Sequence, residues 1–133
     1  MRLLLDTHVL LALIERGTAD LPANVAALLQ DPENEHHLSA ASLWETAIKW
    51  RLGKLKLTPS LTSLPELLIG LGIKIIAINE HHALASPEPE PVTRDPFDRM
   101  LLAQCQVENL KLVTMDRALL DHPLVAPTPR RVP

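Results

Sequence analysis

The sequence predicts an α/β domain whose parallel sheet is covered by helices on both faces. Short apolar runs recur at 2–5, 36–40, 73–78 and 111–115, and each is followed by a stretch with helical spacing of its apolar residues. That alternation produces βαβ units, and parallel strands of this kind are buried on both sides. At 133 residues with 47% apolar side chains, the chain is one domain with a substantial core.

Taken in order, "RLLL" (2–5) is the first strand, and helices follow at 7–16 and 22–30. "HHLSA" (36–40) is the second strand and leads into a helix over 42–52. In "SLWETAIKWRLG", Leu43, Ala47 and Trp50 form one row, while Trp44, Ile48 and Leu52 form its neighbour. The two rows make a broad apolar face that places both tryptophans in the core, with Gly53 ending the helix. A helix over 62–71 precedes the strand "IKIIAI" (73–78), and another covers 79–85. "PEPEP" (87–91) is a stiff extended connection. It leads to a helix over 96–109, started by Asp95 as cap and Pro96 at the first helical position. The last strand, "KLVTM" (111–115), is followed by a short helix from 117 and a second proline cluster from Pro123 to Pro133.

Composition narrows the function. Aromatics at 2% leave little for base stacking, and a formal net charge of −3 argues against a generally basic surface. A single cysteine, Cys105, rules out an internal disulfide and a Cys-rich zinc site. The opening resembles a signal peptide, but Asp6 and His8 interrupt its apolar run and no small-residue cleavage site follows. No apolar stretch is long enough to span a bilayer. A cytoplasmic protein without membrane contact is the expectation.

Several familiar sites are missing. "GLG" (70–72) precedes a strand instead of opening a helix, so it does not cradle phosphate. There is no G-x-S-x-G elbow. The pairs His36–His37 and His81–His82 are sequence neighbours whose side chains diverge, which suits surface or half-buried positions better than one shared metal.

The remaining chemistry is acidic. Asp6 and Asp116 each follow a strand, Glu45 lies in the first turn of the helix after the second strand, and Asp98 lies in the first turn that "DPFD" opens. Each has an ordinary reading as a helix cap; Ser42 to Glu45 fits a capping box, and Asp98 is placed to reach back to Asp95. Each also sits where open α/β sheets place their ligands. If the four share one rim, two carboxylates about 5 Å apart repel by roughly 3 kcal/mol at an effective dielectric of about 20. Oxygen ligands then call for a hard cation such as Mg²⁺ or Mn²⁺.

The segments "LLLDTHVLL", "SAASLWETAIKWRLGKL", "RDPFDRMLLAQ" and "LKLVTMDRALL" together resemble a PIN domain of the VapC-like toxin type, in family order from residue 3 to about 120. The resemblance implies a three-layer α/β/α sandwich with a central parallel sheet, and an acidic pocket that binds Mg²⁺ or Mn²⁺. It also implies endoribonuclease activity on RNA, with transfer RNA as one candidate, restrained by a cognate antitoxin, and a homodimer. Carried over, Asp6, Glu45, Asp98 and Asp116 are the catalytic and metal-binding acids, and Thr7, Ser39 and Thr114 line the pocket. Lys49 and Arg99 are candidates for substrate contact, within a basic set that includes Arg51, Lys54, Lys56, Arg94 and Arg117. Ala12 and Thr93 depart from residues common in the family, Trp and His, at positions expected not to touch an acid. A catalytically silent binding module and a DNA or structure-specific nuclease are the alternatives that share this pocket.

Overall fold

The computed structural model describes residues 1–127, so the proline cluster from Pro123 to Pro133 lies outside the described residues past that point. Four strands, β1 (Arg2–Leu5), β2 (Glu35–Ser39), β3 (Ile73–Ile76) and β4 (Lys111–Val113), form one sheet in the order β3-β2-β1-β4. Every pairing is parallel; Leu4 of β1 stands opposite His37 of β2 on one side and Leu112 of β4 on the other. Among the described residues six α-helices accompany the sheet: α1 (Thr7–Arg16), α2 (Ala23–Gln30), α3 (Ala40–Arg51), α4 (Leu64–Gly70), α5 (Glu80–Leu84) and α6 (Pro96–Glu108).

The alternation of side chains along β1 creates two cores. Leu3 and Leu5 pack with Val9 and Leu10 of α1, Val25 and Leu28 of α2, and Leu68 of α4. Leu4, between them, faces the other way onto Leu101, Leu102 and Cys105 of α6. Both sheet faces are therefore covered, giving the expected α/β/α layering. Cys105 is fully buried, and that burial pushes its thiol up to about 12, so it behaves as a small core residue.

Helix α3 departs from the expected burial. Trp44 is 61% and Trp50 48% exposed, while the buried residues of α3 are Ala41, Ser42 and Thr46. The periodicity is helical as read, but the side facing the core is the small, hydroxyl-bearing one. Its polar groups are satisfied internally: Thr46 Oγ1 donates to the Ser42 carbonyl at 2.7 Å, and Thr7 Oγ1 donates to Ser42 Oγ at 2.9 Å. Small residues let α3 pack against α1 and α6, and the two tryptophans are left outside.

The start of α3 also differs. The N-cap is Ser39, whose hydroxyl accepts from the Ala41 N–H at 3.0 Å, so Ser42 lies inside the helix and forms no capping box with Glu45. Its end is as read: Gly53 has φ +72°, the Gly53 N–H donates to the Trp50 carbonyl at 3.1 Å, and the Lys54 N–H donates to the Lys49 carbonyl at 2.9 Å. This pair of bonds closes the helix and requires the left-handed residue that glycine supplies.

Two further expectations are corrected. No helix begins at 117; the chain runs through turns in which the Asp116 side chain accepts from the Ala118 N–H at 3.0 Å. His37 and His82 are buried instead of half-exposed. His37 Nδ1 lies 3.1 Å from the Leu3 carbonyl, and His82 links the Asn79 cap of α5 to Glu108 of α6, with Nε2 2.8 Å from Glu108 Oε1. Burial is tolerated because the ring nitrogens have partners.

Candidate active site

The strand order reverses its direction of growth at β1, with β2 to one side and β4 to the other. Open parallel sheets bind ligands outside the carboxyl ends of their strands at such a switch. Asp6 is the first residue after β1, and Thr114 the first after β4. Thr114 Oγ1 donates to Asp6 Oδ2 at 2.7 Å, joining the two strand ends across the switch. The same hydroxyl accepts from the Asp116 N–H at 3.0 Å. One threonine thus orients the first and fourth acids.

Asp6 takes the N-cap position of α1, yet its side chain makes no capping bond. Its burial, only 4% exposed, raises its affinity for a proton above the ordinary carboxylate value. The Thr114 hydroxyl, the nearby His8 ring and the Thr7 N–H pull it back, and the charge of Glu45 pushes it further up. Cap chemistry therefore does not explain this carboxylate.

The second arm of the site is built the same way. Asp95 caps α6 by accepting from the Phe97 N–H at 2.9 Å. Asp98, one turn on, accepts from Thr93 Oγ1 at 3.0 Å, and that hydroxyl accepts from the Asp95 N–H at 3.2 Å. Thr93 therefore does touch an acid, contrary to expectation, and repeats what Thr114 does for Asp6 and Asp116. Two elements, α6 and β4, separate the two threonines, and both follow the pattern Thr-x-Asp. Burial pushes the Asp98 carboxyl up to about 6, against the Thr93 bond, with the charges of Asp95, Asp6 and Asp116 adding to the rise.

Glu45 lies in the second turn of α3 and not the first, because the helix starts at Ala40; it pairs with Lys49 at 2.9 Å, so Lys49 steadies this carboxylate. Ser39 caps α3 and Thr7 bonds Ser42, which fixes α3 against α1 beside Asp6. Arg99 is taken up by the connection before α6: its Nε donates to the Thr93 carbonyl at 2.9 Å, and its terminal nitrogen lies 2.6 Å from Glu90. It thereby holds the segment that carries Thr93. Three participants escaped the sequence reading. Thr93 and Ser42 act through loop and helix contacts that spacing does not reveal; His8, exposed beside Asp6, stood in the quoted "DTH" without a role.

The donors converging here are carboxylate and hydroxyl oxygens, the set a hard divalent cation prefers. Among the described residues no three His, Cys, Asp or Glu side chains stand close enough to enclose a bare ion. Mg²⁺ is a cation of that kind; it keeps several waters and binds through one or two carboxylates together with substrate phosphates. Among the described residues Asp6, Asp98 and Asp116 have no lysine or arginine paired with them. The residues present fit such an ion.

Residues 3–123 match the PIN domain family. The chain is also 38% identical over 68 residues to "Ribonuclease VapC16" of Mycobacterium tuberculosis, a match that covers 50% of this chain and 48% of that protein. The parallel sheet, its two helical layers and a family match over nearly the whole length agree: this chain belongs to the PIN domain family.

Proposed function

We propose that the chain is a Mg²⁺- or Mn²⁺-dependent endoribonuclease, the toxin of a type II toxin–antitoxin pair. The reading rests chiefly on the gathering of Asp6, Asp98 and Asp116 within electrostatic reach at the sheet's switch point, with Glu45 acting on Asp6. The relative's name, a ribonuclease, points the same way. Asp6 and Asp98 would hold the ion, with Asp116 and Glu45 completing the set. When bound, it supplies charge neutralisation at the phosphate and an activated water at neutral pH.

The chain's own contribution is preorganisation. Thr114 and Thr93 aim the two principal carboxylates, Lys49 keeps Glu45 in place, and Ser39 and Thr7 lock α3 beside them. Lys49, Arg51, Lys54, Lys56, Arg94 and Arg117 form the set from which RNA phosphates would be held, transfer RNA being one candidate. A cognate antitoxin would restrain the enzyme by inserting a basic side chain among the acids. Action in the cytoplasm as a homodimer completes the proposal. Among the described residues, no helix is long and apolar enough to cross a membrane.

The test is cleavage of a structured RNA by the purified chain. Cleavage is expected with Mg²⁺ or Mn²⁺, stopping in excess chelator and in Asp6→Asn; full activity in either condition would defeat the mechanism. Thr114→Val removes the donor to Asp6 and the acceptor for the Asp116 N–H. The cleavage rate is expected to fall about ten- to hundredfold, while Thr114→Ser, which keeps the hydroxyl, retains most of it. Equal rates for the two variants would remove Thr114 from the site.

A further inference from the structure

A groove of about 390 Å³ runs from Glu45 along the exposed side of α3 to the start of α6. One wall is apolar: Ile48, Leu52 and Phe97. Lys49, Lys54 and His8 supply its nitrogen groups. The volume is in the range of small-ligand sites. Two carboxylates also border it: Glu45 pairs with Lys49, and Asp95 at the α6 end accepts from the Phe97 N–H and keeps its charge. Among the described residues Lys54 makes no ion pair, which leaves its ammonium open to an anionic group of a ligand.

Both walls are fixed before any ligand arrives. The bonds that close α3 at Gly53 hold the Lys54 backbone against the last turn of the helix. Phe97 is braced by Trp44, ring centroids 5.6 Å apart and edge to face at 62°. A flat apolar wall beside a free cation, opening onto an acid of the candidate site, matches a nucleotide, which offers an apolar base face and an anionic phosphate. A purely apolar ligand would leave Lys54 without an ion-pair partner.

We infer that this groove seats the nucleotide adjoining the scissile phosphodiester, its base against Phe97 and its phosphate on Lys54. The inference rests on the nuclease reading above and assigns that site a neighbouring subsite on single-stranded RNA. Phe97 and Lys54 are thereby substrate-positioning residues. The low aromatic content does not oppose this, since a single ring suffices to stack one base.

The experiment compares wild type, Lys54→Gln, Phe97→Leu and, as a control outside the groove, Lys74→Gln, using a single-stranded RNA oligonucleotide. Lys54→Gln is expected to raise KM about tenfold with kcat within about twofold of wild type, and to flatten the salt dependence of binding by about 0.7 in log–log slope. Phe97→Leu is expected to raise KM roughly tenfold, near the lower end for a base–aromatic contact, with the slope unchanged. KM and slope equal to wild type in both variants would overturn the subsite. Should wild type cleave no RNA under any ion, the nuclease reading falls separately, and binding in chelator decides the groove. Oligonucleotide binding weakened by Lys54→Gln but not by Lys74→Gln supports it. No binding, binding indifferent to Lys54, or Lys54-dependent capture of an acidic peptide in place of RNA overturns it.

Discussion

Asp98→Asn is expected to abolish RNA cleavage, by a thousandfold or more, while leaving the metal-free protein at least as stable as wild type. On the proposed mechanism, the loss follows from removing a charged oxygen that would hold the ion. The stability follows from the position of the carboxyl, whose affinity for protons burial and three neighbouring aspartates raise to about 6. A carboxyl with a raised folded-state value binds protons more tightly when folded than when unfolded. Its charge therefore costs stability above about pH 6, and that cost is relieved as pH falls from 6 towards the ordinary value. At pH 7.5 an uncharged amide avoids the cost and still accepts from Thr93, a gain of about 1 kcal/mol after allowance for solvent screening. Asp95→Ser is the matched control: serine keeps the cap on Phe97 and most of the activity. Melting curves and cleavage rates for the two variants check the pair. Equal loss in both would assign the "DPFD" aspartates to folding alone.

Millimolar Mg²⁺ is expected to raise the Tm of wild type at pH 7.5 by about 3 °C or more, through preferential binding to the folded state. The same ion should do progressively less as pH falls below about 6, because protons then compete for Asp98 and for Asp6, whose affinity for them is also raised. Without the ion, these two groups favour higher stability as the pH drops through that range, so the Mg²⁺ and Mg²⁺-free curves should converge. Differential scanning fluorimetry across pH 5 to 8 reads this directly. Parallel curves, or an Mg²⁺ effect equally large in Asp98→Asn, would place the ion elsewhere.

How much was legible in the sequence depended on whether the determining contacts were local. The first strand and α1 were readable because "RLLL" and the helix from Thr7 have uniform local signals. The start of α6 was readable because Asp-Pro is a cap followed by a residue that suits the first helical turn. Helix α3 shows the limit. Its periodicity gave the helix, but which stripe faces the core depended on close approach by Ala41, Ser42 and Thr46, and the larger apolar stripe carrying Trp44 went outside. Large apolar residues on a helix do not by themselves mark its buried side when a neighbour demands small ones.

The site divides in the same way. Asp6, Glu45, Asp98 and Asp116 were legible as acids at strand ends and helix starts, and their family pattern supplied the grouping. Proximity was not legible, because it depends on β4 returning beside β1 after more than 100 residues, where Thr114 meets Asp6. The Thr93 contact depends on a loop conformation that Arg99 holds from the next helix. Thr93 departs from the family's usual side chain and still bonds the third acid.

The central claim is that these acids form one divalent-ion site, and Mn²⁺ binding followed by electron paramagnetic resonance tests it most directly. With single-stranded RNA in chilled solution at pH 7.5, wild type is expected to withdraw Mn²⁺ from the free-ion signal, while Asp6→Asn and Asp98→Asn each leave it largely free. Mn²⁺ withdrawn equally by all three proteins, or by none of them, would contradict the account.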